Sequence, residues 1–177
     1  MTVYLDMDGV IADFFGGIEE LHNVDHWKDI GSKDKIISSI KYTDFFFHIN
    51  KFNNTHRLVE FVKKISNGDW GICSSPLEGD RNNSSFWKRQ WLVANNIMPS
   101  VEKCIFTYNK HKYAWSPIDG LPNILIDDKP ENIKKWIDAG GIGIRYQANQ
   151  DDLEEYLFIE IENAILKSNN SNIGQIA

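Results

Sequence analysis

Six residues with the chemistry of a phosphate or metal site fall in three pairs along the 177-residue chain: Asp6 and Asp8, Ser74 and Ser75, Asp127 and Asp128. Each pair stands at the end of a short apolar run. If folding brings the pairs together, four carboxylates share one crevice and repel one another unless a cation joins them. Hard oxygen ligands of this kind favour magnesium (Mg2+). A cation with open positions attracts a phosphate and neutralises charge on its oxygens. A carboxylate beside it can attack phosphorus and form an aspartyl-phosphate. A second, slightly offset, can protonate the leaving alcohol and later activate water. A serine hydroxyl and a lysine would complete the phosphate cradle.

The flanking sequence supplies elements that can bring the pairs together. Thr2–Leu5, Asp69–Cys73, Lys103–Thr107, Asn123–Ile126 and Ile142–Arg145 are short, nearly continuous apolar runs, the pattern of strands buried on both faces. Helical patterns lie between them. Thr55–Ile65 sets Leu58, Val59, Phe61, Val62 and Ile65 on one stripe, and Ser85–Ala94 and Asp151–Leu166 are amphipathic. Pro130–Ala139 opens on a proline suited to a first helical turn and stops at Gly140-Gly141. Strands alternating with helices predict an α/β fold with a parallel sheet. Open parallel sheets bind ligands beyond the carboxyl ends of their strands, which is where all three polar pairs fall.

One segment breaks the rhythm. Residues 14–54 hold no convincing strand but many aromatics, including Phe14, Phe15, Trp27, Phe45, Phe46 and Phe47. The segment separates the first two strands by about 50 residues, far beyond an ordinary crossover. It reads as a helical insertion, placed to act as a lid. The expected organisation is a core of residues 1–13 and 55–167, a helical cap of residues 14–54, and a flexible polar tail of residues 168–177.

Composition sets outer bounds. Apolar residues make up 42% and charged residues 25%, the balance of a globular domain. The net charge of −6 argues against a stable complex with nucleic acid but not against a small anion drawn in by a metal. No apolar stretch approaches the ~20 residues of a membrane helix, and Asp6, Asp8 and Asp13 interrupt the first apolar run before it could serve as a secretion signal. Cys73 and Cys104 read as free core thiols, which points to a cytoplasmic location. The five histidines show no ligand spacing.

Together the motifs are recognisable. Asp6-Met7-Asp8-Gly9-Val10, Ile72-Cys73-Ser74-Ser75-Pro76 and Ile126-Asp127-Asp128 resemble, in order, the first, second and fourth motifs of the haloacid dehalogenase (HAD) superfamily. Within it, Asp6–Phe14, the Ile72–Pro76 stretch, Lys88–Leu92 and Leu125–Asn132 look most similar to the 5'(3')-deoxyribonucleotidases and their phage and bacterial relatives. The resemblance covers roughly residues 2–145. It implies a Rossmann-like core with a helical cap inserted after the first strand, and a magnesium-dependent hydrolase of nucleoside monophosphates.

The resemblance also implies roles. Asp6 would be nucleophile and metal ligand. Asp8 would be general acid/base and would offer its backbone carbonyl to the metal. Asp128 would be the main ligand of the fourth motif, with Asp127 in support. Ser74 and Ser75 would hold phosphate oxygens. Lys88 fits the phosphate-binding lysine by its spacing before Trp91-Leu92, whereas Lys110 or Lys112 fits by lying in the loop before the fourth-motif strand. Phe14 occupies the place of a base-stacking ring, and Phe45–Phe47, Phe46 included, resembles a hydrophobic base pocket, although aromatics in an insertion also serve as its own small core. Two alternatives stay open. One is a phosphatase acting on another small phosphoester or a nucleic acid 3'-end. The other is a binding protein that keeps the fold without turnover, against which the retained Asp6 and Asp8 argue.

Overall fold

A computed structural model of the chain describes residues 1–170. Five strands form one parallel sheet: β1 (Val3–Leu5), β2 (Trp70–Ser74), β3 (Cys104–Phe106), β4 (Ile124–Asp127) and β5 (Ile142–Arg145), in the order β3-β2-β1-β4-β5. The chain builds outward from β1 to β3, then returns to the other side of β1 to lay down β4. The switch in direction lies between β1 and β4, where a doubly wound sheet opens a crevice at its carboxyl edge.

Side chains alternate across the sheet. Val3, Leu5, Ile72, Ile124 and Ile126 enter the larger core, and Tyr4, Cys73 and Leu125 enter the smaller one. Helices α4 (Thr55–Ile65), α5 (Arg81–Ala94) and α7 (Ile159–Asn170) feed the larger core through Leu58, Val59, Trp91, Leu92 and Ile161. Helix α6 (Pro130–Asp138) closes the other face with Ile133 and Trp136. Both faces are covered, so the strands read as unbroken apolar runs.

Residues 14–54 form helices α1 (Phe14–His22), α2 (Lys33–Ile40) and α3 (Phe45–His48), plus a 3-10 turn over Trp27–Ile30. The two connections to the core run side by side. Ala12 bridges Lys51 in antiparallel fashion, the Asp13 amide donates to the Asn50 carbonyl at 2.8 Å, and the Ile11 carbonyl accepts from Phe52 N and Thr55 Oγ1. The far end of the insertion is tied to α5 and the loop before it. Trp91 Nε1 donates to the Ile49 carbonyl at 2.7 Å, and Tyr42 N donates to Asp80 Oδ2 at 2.8 Å.

Two boundaries differ from the sequence reading. Helix α5 begins at Arg81, not Ser85, because a polar first turn carries no apolar period to reveal it. Helix α7 continues to Asn170, so residues 168–170 belong to the folded body: Ser168 is buried and its hydroxyl donates to the Pro122 carbonyl at 2.9 Å. The rest of the expected tail, residues 171–177, lies outside the described residues. Cys73 and Cys104 are buried and unpaired, and burial pushes the Cys73 thiol up to about 12. No helix among the described residues is long and apolar enough to cross a membrane.

Candidate active site

The three polar pairs converge at the carboxyl edge of β1, β2 and β4. Asp6 continues β1, with its amide donating to the Ile126 carbonyl of β4 at 2.8 Å. Its Oδ1 accepts from the Met7 amide at 2.7 Å, which fixes the carboxylate. The chain then turns tightly, with the Ile11 and Ala12 amides both donating to the Met7 carbonyl at 2.9 Å. Gly9 sits in this turn at φ +79°, the left-handed region that favours glycine.

Oxygens of Asp6, Asp127 and Asp128 lie within 4.8 Å of one another. Their surroundings differ. Asp127 is fully buried and surrounded by donors: Lys110 Nζ at 2.6 Å, Lys129 N at 2.9 Å, and Asn132 Nδ2 at 3.1 Å from both oxygens. The Asp128 carboxylate has no hydrogen-bond donor among the described residues, and burial, with Asp6, Asp127 and Asp8 nearby, pushes it up to about 8. Burial and the neighbouring Asp6 also raise Asp127 and Asp8 against the pull of their lysines. With all four acids ionised, two ammonium groups leave an excess of negative charge. A hard divalent cation fits this donor set, with Asp128 as the carboxylate most in need of one.

The two buried lysines divide the acids between them. Lys110, in a short 3-10 turn after β3, is 2.9 Å from Asp6 Oδ2 and 2.6 Å from Asp127 Oδ2. Burial alone would lower its pKa, but the two carboxylates reverse this and raise it. Lys88, fully buried on α5, contacts Asp8 Oδ2 at 2.6 Å, the Ser75 carbonyl at 2.9 Å and Ser74 Oγ at 3.1 Å. Asp8 Oδ1 is enclosed and has no partner.

The sequence-derived candidates thus separate. Asp6, Asp8, Ser74, Ser75, Lys88, Lys110, Asp127 and Asp128 are brought together. Lys112 is not: it is exposed, because a 3-10 turn has three residues per turn and residues two apart point to different sides. Phe46 is only 2% exposed, its ring stacked near Phe14 at 6.0 Å between centroids and lying 4.7 Å from Lys88 Nζ. Phe14 is half-buried and also meets Phe45 and Phe15 edge-on. The insertion's aromatics therefore pack on one another, and Phe14 keeps the more accessible ring of the stacked pair. Asn132 was missed from sequence. The signal for it was its place in the first turn of a helix that starts beside Asp127.

No protein-family profile matches the chain. Its fold is that of the HAD hydrolases. The HAD-type hydrolase YfnB of Bacillus subtilis superposes with a TM-score of 0.55 at 12% identity, over 85% of this chain and 88% of that one. A HAD family hydrolase of Deinococcus radiodurans superposes at 0.50 with 12% identity, over 80% and 78%. In sequence, the chain is similar to the mitochondrial 5'(3')-deoxyribonucleotidase of Mus musculus, 24% identical over 153 residues. That alignment spans 74% of this chain and 66% of the mouse protein.

Proposed function

We propose that the protein is a magnesium-dependent phosphomonoester hydrolase acting on deoxyribonucleoside monophosphates through an aspartyl-phosphate on Asp6. The observation that carries this reading is the pairing of Asp6 with Lys110 inside the Asp6–Asp127–Asp128 group, with a second acid, Asp8, two residues along the same turn. A nucleophile, a cation to draw in phosphate and a proton carrier are the parts such a displacement needs.

Asp6 and Asp128 would hold the cation, with the Asp8 carbonyl, and Asp127 would support them while anchored by Lys110 and Asn132. When bound, the cation supplies charge screening that lets an anionic carboxylate approach an anionic phosphate. Lys110 pairs with Asp6 and adds positive charge where phosphate must bind. Asp6 then attacks phosphorus as Asp8 protonates the departing sugar oxygen. In the second half, Asp8 takes a proton from water as that water attacks the aspartyl-phosphate. Asp6 is regenerated and inorganic phosphate leaves.

The nucleotide preference is supported by the likeness to the mouse deoxyribonucleotidase and by the aromatic insertion beside Asp8. The burial of Phe46 favours a second reading, another small phosphoester, because it leaves Phe14 as the ring of that pair to meet a base. Phosphate release with magnesium, measured over nucleoside monophosphates and small phosphoesters, tests both. Preference for deoxyribonucleotides supports the first, and equal rates on sugar phosphates remove it.

A further inference from the structure

Lys88 and Lys110 look interchangeable in sequence, yet their partners differ in a way that assigns them different work. A lysine ammonium has three N–H donors and no acceptor. Lys88 uses all three within the protein: Asp8 Oδ2 at 2.6 Å, the Ser75 carbonyl at 2.9 Å and Ser74 Oγ at 3.1 Å. The face of Phe46 lies 4.7 Å from its Nζ and shields the charge from the insertion side. Its side chain has no exposure at all. Lys110 uses two contacts, to Asp6 and Asp127, among the described residues, and has one N–H left for an incoming ligand.

We propose that Lys88 is a positioning residue for the acid/base Asp8 rather than a ligand of the transferred phosphoryl group. This rests on the phosphatase reading above. For Lys88 to reach phosphate it would have to give up a bond to Asp8, to Ser74 or to a main-chain carbonyl, at a site closed to water. Left in place, it occupies Asp8 Oδ2 and holds that carboxylate in one orientation. Asp8 Oδ1 has no partner in the protein, so it is the carboxylate oxygen that Lys88 leaves uncommitted. Phe46 ties this arrangement to the insertion, so displacement of α3 would disturb Lys88 and, through it, Asp8.

The test uses p-nitrophenyl phosphate with magnesium, comparing wild type with Lys88→Met. Nitrophenolate leaves as an anion when its bond to phosphorus breaks and the Asp6–phosphorus bond forms, so this half-reaction needs no proton from Asp8. Hydrolysis of the aspartyl-phosphate does need Asp8, because the attacking water must lose a proton as the Asp6–phosphorus bond breaks. Lys88→Met is therefore expected to keep a first-turnover burst of nitrophenolate while its steady rate falls about 10²-fold. Inhibition by inorganic phosphate should be unchanged. A raised KM and tenfold weaker phosphate inhibition, with kcat unchanged, would overturn the assignment and make Lys88 a phosphate ligand. Circular dichroism reports folding. If the methionine variant does not fold, Lys88→Gln, which keeps an amide donor, is read by the same two ratios. Wild type that releases phosphate from neither nitrophenyl phosphate nor a deoxyribonucleoside monophosphate overturns the phosphatase reading itself, and the role of Lys88 with it.

Discussion

Gly9 packs so tightly against Asp128 that a Cβ at residue 9 would lie 2.5 Å from Asp128 Oδ2. The turn after β1 and the end of β4 are thereby locked together, and the carboxylate that lacks hydrogen-bond donors is held against backbone instead. Gly9→Ala would meet both this contact and a backbone at φ +79°. The left-handed conformation alone costs about 1–2 kcal/mol, which for a domain of this size lowers Tm by about 2–8 °C. Asp128 would also be displaced, so magnesium affinity should weaken in titration calorimetry. Unchanged Tm and affinity would show that the turn is more compliant than the contact implies.

The two acids of the first turn should fail differently. Asp6→Asn is expected to abolish turnover, since an amide is no phosphoryl acceptor. Asp8→Asn is expected to bind substrate with little change in KM while kcat falls about 10²–10⁴-fold through loss of proton transfer. Steady-state kinetics on one nucleotide checks both, and equal effects of the two substitutions on KM and kcat would argue against separate roles.

The metal-free protein should lose stability as pH rises toward 8. The unfolded chain releases the Asp128 proton near the ordinary value of 3.8, and the folded chain releases it at about 8. Between these values the folded state binds more protons, so unfolding becomes easier with rising pH. Asp8 and Asp127 are shifted in the same direction and add to the slope. Thermal melts in chelator should show Tm falling across this window, Asp128→Asn should flatten the fall, and magnesium should raise Tm more at its upper end than at its lower. A chelated wild type whose Tm rises across the same window would contradict the assignment of Asp128.

Phe14 tests the insertion. A base stacked on it would contribute about 1–3 kcal/mol, so Phe14→Ala should raise KM for a nucleotide roughly tenfold or more and leave a small phosphoester nearly unaffected. Parallel losses on both substrates with a lowered Tm would mean that Phe14 only supports Phe45 and Phe46.

The sheet and the acid cluster were legible in sequence for one physical reason. Strands covered on both faces leave unbroken apolar runs, and Asp6, Ser74 and Asp127 mark where those runs end at the open edge. Lys88 and Lys110 could be named as candidates, but not their partners, because Lys88 comes from a helix and Lys110 from a turn after a different strand, and only packing shows which acid each one meets. Lys112, two residues from Lys110, cannot be told from it by spacing. The depth of Phe46 was hidden likewise, since an aromatic run has the same sequence whether it lines a pocket or fills a core. Ser168 looked like part of a fraying tail because its bond to the Pro122 carbonyl is long-range.

The most direct measurement is capture of the covalent intermediate. The wild-type protein with magnesium would be mixed with a phosphate-labelled deoxyribonucleoside monophosphate, quenched in acid within the first turnover, and mapped by peptide mass spectrometry. The expected result is label on Asp6 in the wild type, less of it in Asp8→Asn, where the sugar oxygen loses its proton donor, and none in Asp6→Asn or in chelator. Free phosphate released at the wild-type rate with no labelled Asp6, or release that persists in Asp6→Asn, would contradict catalysis through this residue.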